Sequence, residues 1–468
     1  MNVRKPLTAL AALTATVALL AGVTGCSANS TSGVIDTKAD KGLEVLGQHL
    51  TYDPNHLVND GQPIELGYWT WGDGSTDPVV TMLHEYEKIH PNVTFKISQV
   101  AWSDYWVKTP LSLKGNRNAP VLFNVHNSQD ALLRPHMEAY DIDLDDLEAD
   151  YTNVETHVVD GKVDYIDSVI NTGNIYYNKT LWKEAGLTDA DIPTTWDEFA
   201  EVARKLTKFD GGKMVQAGFN MNGDGRYDGL WQGLNYQRGT LMFDKSGTKA
   251  NYDSKATREN LQFLLDLYEK DKVGSVKFGD NSEQSFGNGQ TAMIYAWGAL
   301  QGTLDTKYPD IDYGVFPTPT FTKDVPFAYD RYNGESTPGI NKHQSAEQRA
   351  VAQDVIRFML AGDDYVRTAV KLQNSFPGKK SLQDDPEILS NPVMAAIKPR
   401  LDRLIWPGPT PSTLESSPKI AFQNVFQNHQ PIAKAVAAAQ AQIETDMKNS
   451  DFVSLERMYQ HYDEAKQD

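Results

Sequence analysis

Apolar positions along the chain switch repeatedly between two periods. In "PIELGYWTWGDG", Ile64, Leu66 and Tyr68 alternate with polar neighbours, which predicts a strand ending in a glycine-bearing loop. Val79, Leu83, Tyr86 and Ile89 then recur at helical spacing, and Pro91 closes that segment. "NVTFKIS" returns to alternation through Val93, Phe95 and Ile97, and "APVLFNV" has the short apolar run of a buried strand. Further on, Thr195 and Glu198 stand at capping-box spacing ahead of Phe199, Val202, Ala203, Leu206 and Phe209, which share one helical face. Leu261, Leu264, Leu265 and Tyr268 mark another helix. "TAMIYA" and "YGVFPTP" predict two strands, and Val351, Val355, Phe358 and Met359 a later helix. There is no repeat of fixed period. The alternation of strand and helix predicts an α/β protein with at least two lobes.

The amino end follows a different pattern. Arg4 and Lys5 precede an apolar run from Leu7 to Val23, interrupted by Thr8, Thr14 and Thr16, which is the layout of a secretory signal peptide and marginal for a membrane span. The only cysteine of the 468 residues, Cys26, follows directly in "VTGC". That segment resembles the lipobox of bacterial lipoproteins, which implies cleavage after residue 25 and a lipid anchor on Cys26, an attachment that two acyl chains make stable. A single cysteine excludes a disulfide framework within the chain. Ser27 to Lys41 is polar and small, so residues 26–60 are expected to hold the lipidated cysteine and a flexible tether. The formal charge of −18 argues against nucleic acid and against electrostatic attraction to anionic lipid.

Catalytic and metal templates fit poorly. His84 and His90 are six residues apart, about 240° around a helix, so they cannot grip one metal from one face. "GNGQTA" at Gly287 satisfies a dinucleotide pattern only weakly, and no G-x-S-x-G is present. "NMNGDGRYDGLW" places Asn220, Asn222, Asp224 and Asp228 on a calcium-loop template with Gly225 at its sixth position, but Trp231 stands where a bidentate acid belongs. An Asx-rich turn is the favoured reading there. No cofactor, metal or enzymatic step is expected. Among nine tryptophans, Trp69, Trp71, Trp102, Trp106, Trp231, Trp297 and Trp406 lie beside Gly, Asp, Asn, Pro or polar stretches. Aromatic faces next to polar groups suit a sugar ring, which has an apolar face and a hydroxyl edge.

Six segments taken in order resemble the extracellular solute-binding proteins of carbohydrate ABC transporters, the group that includes maltose-binding protein. They are "LHEYEKIHPNVTFKI", "IYYNKTLWKEAGL" with "PTTWDEFAEVARKLT", "FGNGQTAMI", "YGVFPTPT", "GINKHQSAEQRAVAQDVIRFML" and "NSFPGKKS". The resemblance implies a two-lobed periplasmic-binding-protein-like fold of type II, with central β-sheets flanked by helices and joined by hinge strands. Residues 61–171 and 309–360 would form one lobe, 173–307 and 362–468 the other. It further implies that a carbohydrate binds between the lobes with contacts from Asp73, Asn127, Asn171 and Trp231, while the polar and aromatic context of the chain adds Trp71, Trp297 and Trp406 as stacking rings and Asn333 and Glu335 as hydrogen-bonding groups. The partners so implied are a saccharide and the permease subunits of an importer, with the membrane reached only through the lipid, and the chain acting as a monomer at the outer face of the cell membrane. A polyol, glycerol phosphate or another small polar solute is the alternative ligand, and a secreted glycoside hydrolase the alternative class.

Overall fold

The computed structural model describes residues 41–72, 74–114, 119–223, 226–411, 413–448 and 452–466. The signal segment, Cys26, Asp73 and Asp224 lie outside the described residues, as does the side chain of Asp228.

Three sheets organise the chain. The first runs Val93–Gln99, Ile64–Thr70, Leu122–Phe123, Gly339–Asn341, Met137–Glu138 in spatial order, and its first three strands are parallel. The second runs Tyr313–Pro317, Asn174–Asn178, Thr291–Ala296, Lys213–Phe219, Lys208–Asp210. A linking sheet of Phe376–Pro377, Asp167–Thr172, Asp330–Ser336 and Leu404–Ile405 lies between them. Asp167–Thr172 passes into Asn174–Asn178 through Gly173, where a Cβ would fall 2.1 Å from the Tyr295 hydroxyl, so only glycine fits this crossing. Two apolar cores are buried: one holds Leu66, Tyr86 and Val355 and continues through Tyr176, Ile294 and Leu304 of the second sheet and its helices, and the other holds Phe199, Phe219 and Leu264.

The period shifts become elements because their ends are capped. Asp77 accepts from the Val79 amide and Pro78 opens the helix Pro78–Ile89, a position where a missing N–H costs nothing. Thr195 and Glu198 form the expected reciprocal box on the helix Trp196–Lys205. Replacing Thr195 by alanine is expected to destabilise the protein by about 1 kcal/mol, read as a lower urea midpoint with unchanged slope. Phe209 departs from the expectation: the helix stops before it, and it stands half exposed on the edge strand Lys208–Asp210.

Two further expectations are corrected. Tyr313–Pro317 pairs antiparallel with Asn174–Asn178, so it completes the second sheet and not the first. The helix Asp364–Gln373 packs on Pro78–Ile89 and buries Tyr365, Val366 and Ala369 in the first core, although the chain beyond residue 362 was expected in the other lobe.

Residues 41–60, expected as tether, are instead docked on the first lobe. A short hairpin pairs Leu46 with Tyr52, the Leu50 amide donates to Asp150 Oδ2 at 2.9 Å, and Lys41 Nζ reaches the Ile89 carbonyl at 2.7 Å. Tyr52 Oη lies 2.6 Å from His90 Nε2 and 3.0 Å from Asp354 Oδ2, while His56 Nε2 lies 2.7 Å from Asp354 Oδ1. Burial, and secondarily the Lys41 charge, holds the His90 imidazole down to about 4. That contribution to stability is complete above the ordinary histidine value of about 6.5 and is lost as pH falls toward 4. His56, raised by its hydrogen bond to Asp354, acts in the opposite sense and loses its contribution as pH rises through its raised value. Amide protection of Leu50 and Tyr52, corrected for intrinsic exchange, is therefore expected to peak near neutral pH and to fall at pH 4. Equal protection at both pH values would remove His90 from the latch.

Candidate functional site

The carboxyl ends of the parallel strands Ile64–Thr70 and Leu122–Phe123 point toward the linking sheet, which is where such sheets place binding groups. Trp71 leaves the first of these strands. The turn beneath it is fixed by buried polar bonds: Thr70 Oγ1 and Tyr68 Oη each donate to Asp77 Oδ2 at 2.6 Å, Asn124 Nδ2 donates to it at 3.1 Å, and the Gly72 amide donates to Thr70 Oγ1 at 2.9 Å.

Around Trp71 the rings gather. Its centroid lies 5.0 Å from Trp102, 5.0 Å from Tyr105, 5.3 Å from Trp106 and 6.3 Å from His126. Trp102 and Trp106 are one helical turn apart on Trp102–Ser112, so both project from one face, and Trp102 stays half exposed. Burial holds the His126 imidazole down to about 4, so it is a neutral ring in this cluster. Trp106 Nε1 is buried and meets no hydrogen-bond partner among the described residues.

Opposite this cluster runs the strand Asp330–Ser336. Its period of two puts Arg331, Asn333 and Glu335 on one half-buried face, with Asn171 directly across from Asn333 on the neighbouring strand. From the second lobe, Trp297 covers the Arg331 guanidinium at 4.8 Å. The Trp297 indole N–H donates to Tyr295 Oη at 3.1 Å, and Tyr295 Oη donates to Asp330 Oδ2 at 3.2 Å. Asn171 Oδ1 accepts from the Gly298 amide at 3.1 Å and so ties the linking sheet to the loop that carries Trp297. The turn Asn127–Gln129 packs on the same strand; Asn127 is 1 % exposed and its Nδ2 has no partner among the described residues. A cavity of about 130 Å³ joins Trp71 to Glu335. Burial first, then the Asp167 and Asp77 carboxyls, push the Glu335 carboxyl up to about 7.

The structure thus brings Trp71, Asn127, Asn171, Trp297, Asn333 and Glu335 to one region. It does not bring Trp231 or Trp406 there. Trp231 is 1 % exposed in the second lobe's core, edge-on to Tyr252 at 5.0 Å. Trp406 is 5 % exposed and packs on His157 at 4.8 Å in the first core. Neither offers a face to a solute. In the Asx-rich loop, Asn222 N donates to Asn220 Oδ1 at 2.7 Å, both side-chain amides donate to carbonyls of residues 275–279, and both side-chain oxygens accept from Tyr268 Oη. These two side chains brace a turn. The sequence expectation missed Ser168, Tyr365 and Gln373, which line the cavity beside Glu335.

Known proteins share this architecture. The cyclic alpha-maltosyl-1,6-maltose binding protein from Arthrobacter globiformis superposes with a TM-score of 0.67 over 83 % of this chain and all of that one, at 20 % identity. The maltose/maltodextrin-binding domain MalE from Bdellovibrio bacteriovorus bound to maltotriose gives 0.62 over 82 % of this chain and all of that one, at 17 % identity. At these identities the likeness is one of fold. In sequence, the sn-glycerol-3-phosphate-binding periplasmic protein UgpB of Shigella dysenteriae is 28 % identical over 162 residues, as is UgpB of Escherichia coli strain K12. That match spans 33 % of this chain and 36 % of each relative. The family profile of bacterial extracellular solute-binding proteins covers residues 81–396, roughly two thirds of the sequence. With its two sheets, linking strands and aromatic-lined cleft, the chain belongs to the bacterial extracellular solute-binding proteins.

Proposed function

We propose that this protein captures a saccharide between its lobes and delivers it to the permease of an ABC importer. The observation that carries this reading is the pairing of stacked rings with polar edges: Trp71, Trp102 and Trp106 on one side, Arg331, Asn333, Glu335 and Trp297 on the other. Such a surface fits a ring with an apolar face and hydroxyl rim. Saccharides named for the structural neighbours point the same way. A solute touching both lobes favours their closed arrangement, because only that state supplies both sets of contacts. No covalent step is involved. We assign residues 64–172 and 330–373 to one lobe and 174–317 to the other.

The glycerol phosphate named for the curated relatives is the second reading. An anion calls for clustered bases, and the polar strip offers only Arg331, already covered by Trp297. A thermal-unfolding screen separates the two. Saccharides at concentrations far above their dissociation constant are expected to raise the unfolding temperature, and glycerol 3-phosphate to leave it unchanged. The reverse pattern would overturn the carbohydrate reading.

The amino end completes the proposal: Cys26 carries the lipid that holds the protein at the outer face of the membrane. Replacing Cys26 by serine in the full chain is expected to move the protein from the membrane fraction to the soluble one. Retention in the membrane fraction would count against the lipobox.

A further inference from the structure

We propose that the cavity beneath Trp71 seats a protonated amine of the solute, with Glu335 as its counter-ion. The inference rests on the saccharide reading and narrows it to amino sugars. The cavity is walled by Trp71, Asp77, Ser168, Glu335, Ser336 and Gln373, and none of its lining residues is Lys or Arg.

The acids around it differ in how they are satisfied. Asp77 receives hydrogen bonds from Tyr68, Thr70, Asn124 and the Val79 amide. Asp167 Oδ2 is held by His157 at 3.0 Å. Glu335 alone among the three receives no hydrogen bond to its carboxyl among the described residues, and its electrostatic neighbours, Asp167 and Asp77, are acids like itself. Two more acceptors lie beside it: Gln373 Oε1 and Ser336 Oγ are withdrawn from the surface without a partner among the described residues. Buried polar atoms are nearly always hydrogen-bonded, so these unmatched polar atoms beside the Glu335 carboxyl mark a place that receives a polar group of the solute.

Charge selects the kind of donor. A hydroxyl would leave the half-buried Glu335 carboxylate without a counter-charge, whereas an ammonium group supplies three donors and the charge together. The Trp71 ring adds an aromatic wall of the kind that attracts cations. An anion is disfavoured twice. It would meet the Asp77 and Glu335 carboxyls, and the helix end that borders the cavity is already closed by Asp77 and Pro78. The cavity, about 130 Å³, is small. It takes one head group while the remainder of the solute lies along the rings outside.

The test is calorimetry at pH 7 with the β-1,4-linked diglucosamine, its di-N-acetylated form and cellobiose, which share a backbone and differ at the amine. The diglucosamine is expected to bind at least tenfold more tightly than cellobiose, and N-acetylation to abolish that advantage. Glu335→Gln keeps the shape and removes the charge, so it is expected to erase the difference between the two. Its thermal unfolding, measured alongside, establishes that the variant is folded. Cellobiose binding as tightly as the diamine would overturn the amine site and leave the saccharide reading standing, as would an undiminished preference in E335Q. Failure of all three disaccharides to bind would overturn this inference, whereas the saccharide reading falls only if the unfolding screen also shows no shift with any saccharide.

Discussion

Replacing Trp231 by alanine is expected to lower the stability of the protein by about 3–5 kcal/mol while the folded fraction keeps its affinity for solute. The indole is 1 % exposed, surrounded by the core that also holds Leu234, Tyr252 and Leu264, and set edge-on to Tyr252. Truncation removes one of the largest buried side chains of the second lobe and leaves a void that close-packed neighbours fill only partly. Chemical denaturation should show the loss as a lower midpoint with little change in slope. A variant that unfolded like the parent but lost solute binding would return Trp231 to the cleft.

The opposite result is expected at Trp71. Alanine there should weaken solute binding by about 2–4 kcal/mol, roughly 30- to 1000-fold in dissociation constant, with a smaller effect on stability than at Trp231. Trp71 touches Trp102, Tyr105 and Trp106 and also walls the cavity that contains Glu335. Its removal would both delete a stacking face and open the carboxyl to water, which weakens any charge interaction made there. Only half buried, it contributes less to the core than Trp231 does. Calorimetry with the best saccharide from the unfolding screen checks this, and unchanged affinity would remove the ring cluster from the binding surface.

The contrast between these two tryptophans shows what a single sequence conveys. Period and caps conveyed the strand Ile64–Thr70, the helix Pro78–Ile89 and the box at Thr195, because those depend on neighbours within one turn. The flanks of Trp231 gave no such guidance: a glycine-rich helix start reads as a loop, yet Gly229 and Gly233 are the positions where that helix closes on Tyr295 and Asp330. Trp102 and Trp106 carried a usable signal in their four-residue spacing. Ser168, Tyr365 and Gln373 carried none, since Trp71 meets them only after the linking strands bring distant segments together. Sheet membership failed for a related reason. Tyr313–Pro317 is apolar enough for either lobe, and the choice is made by its register against Asn174–Asn178.

The docked segment at residues 41–60 also fixes where a mechanical load enters the molecule. Its bonds run to Ile89, Asp150 and Asp354, all on the first lobe, and none of them crosses the linking strands. Tension applied to the chain ahead of Lys41 therefore enters the molecule through that lobe, and these contacts leave the second lobe outside the load path.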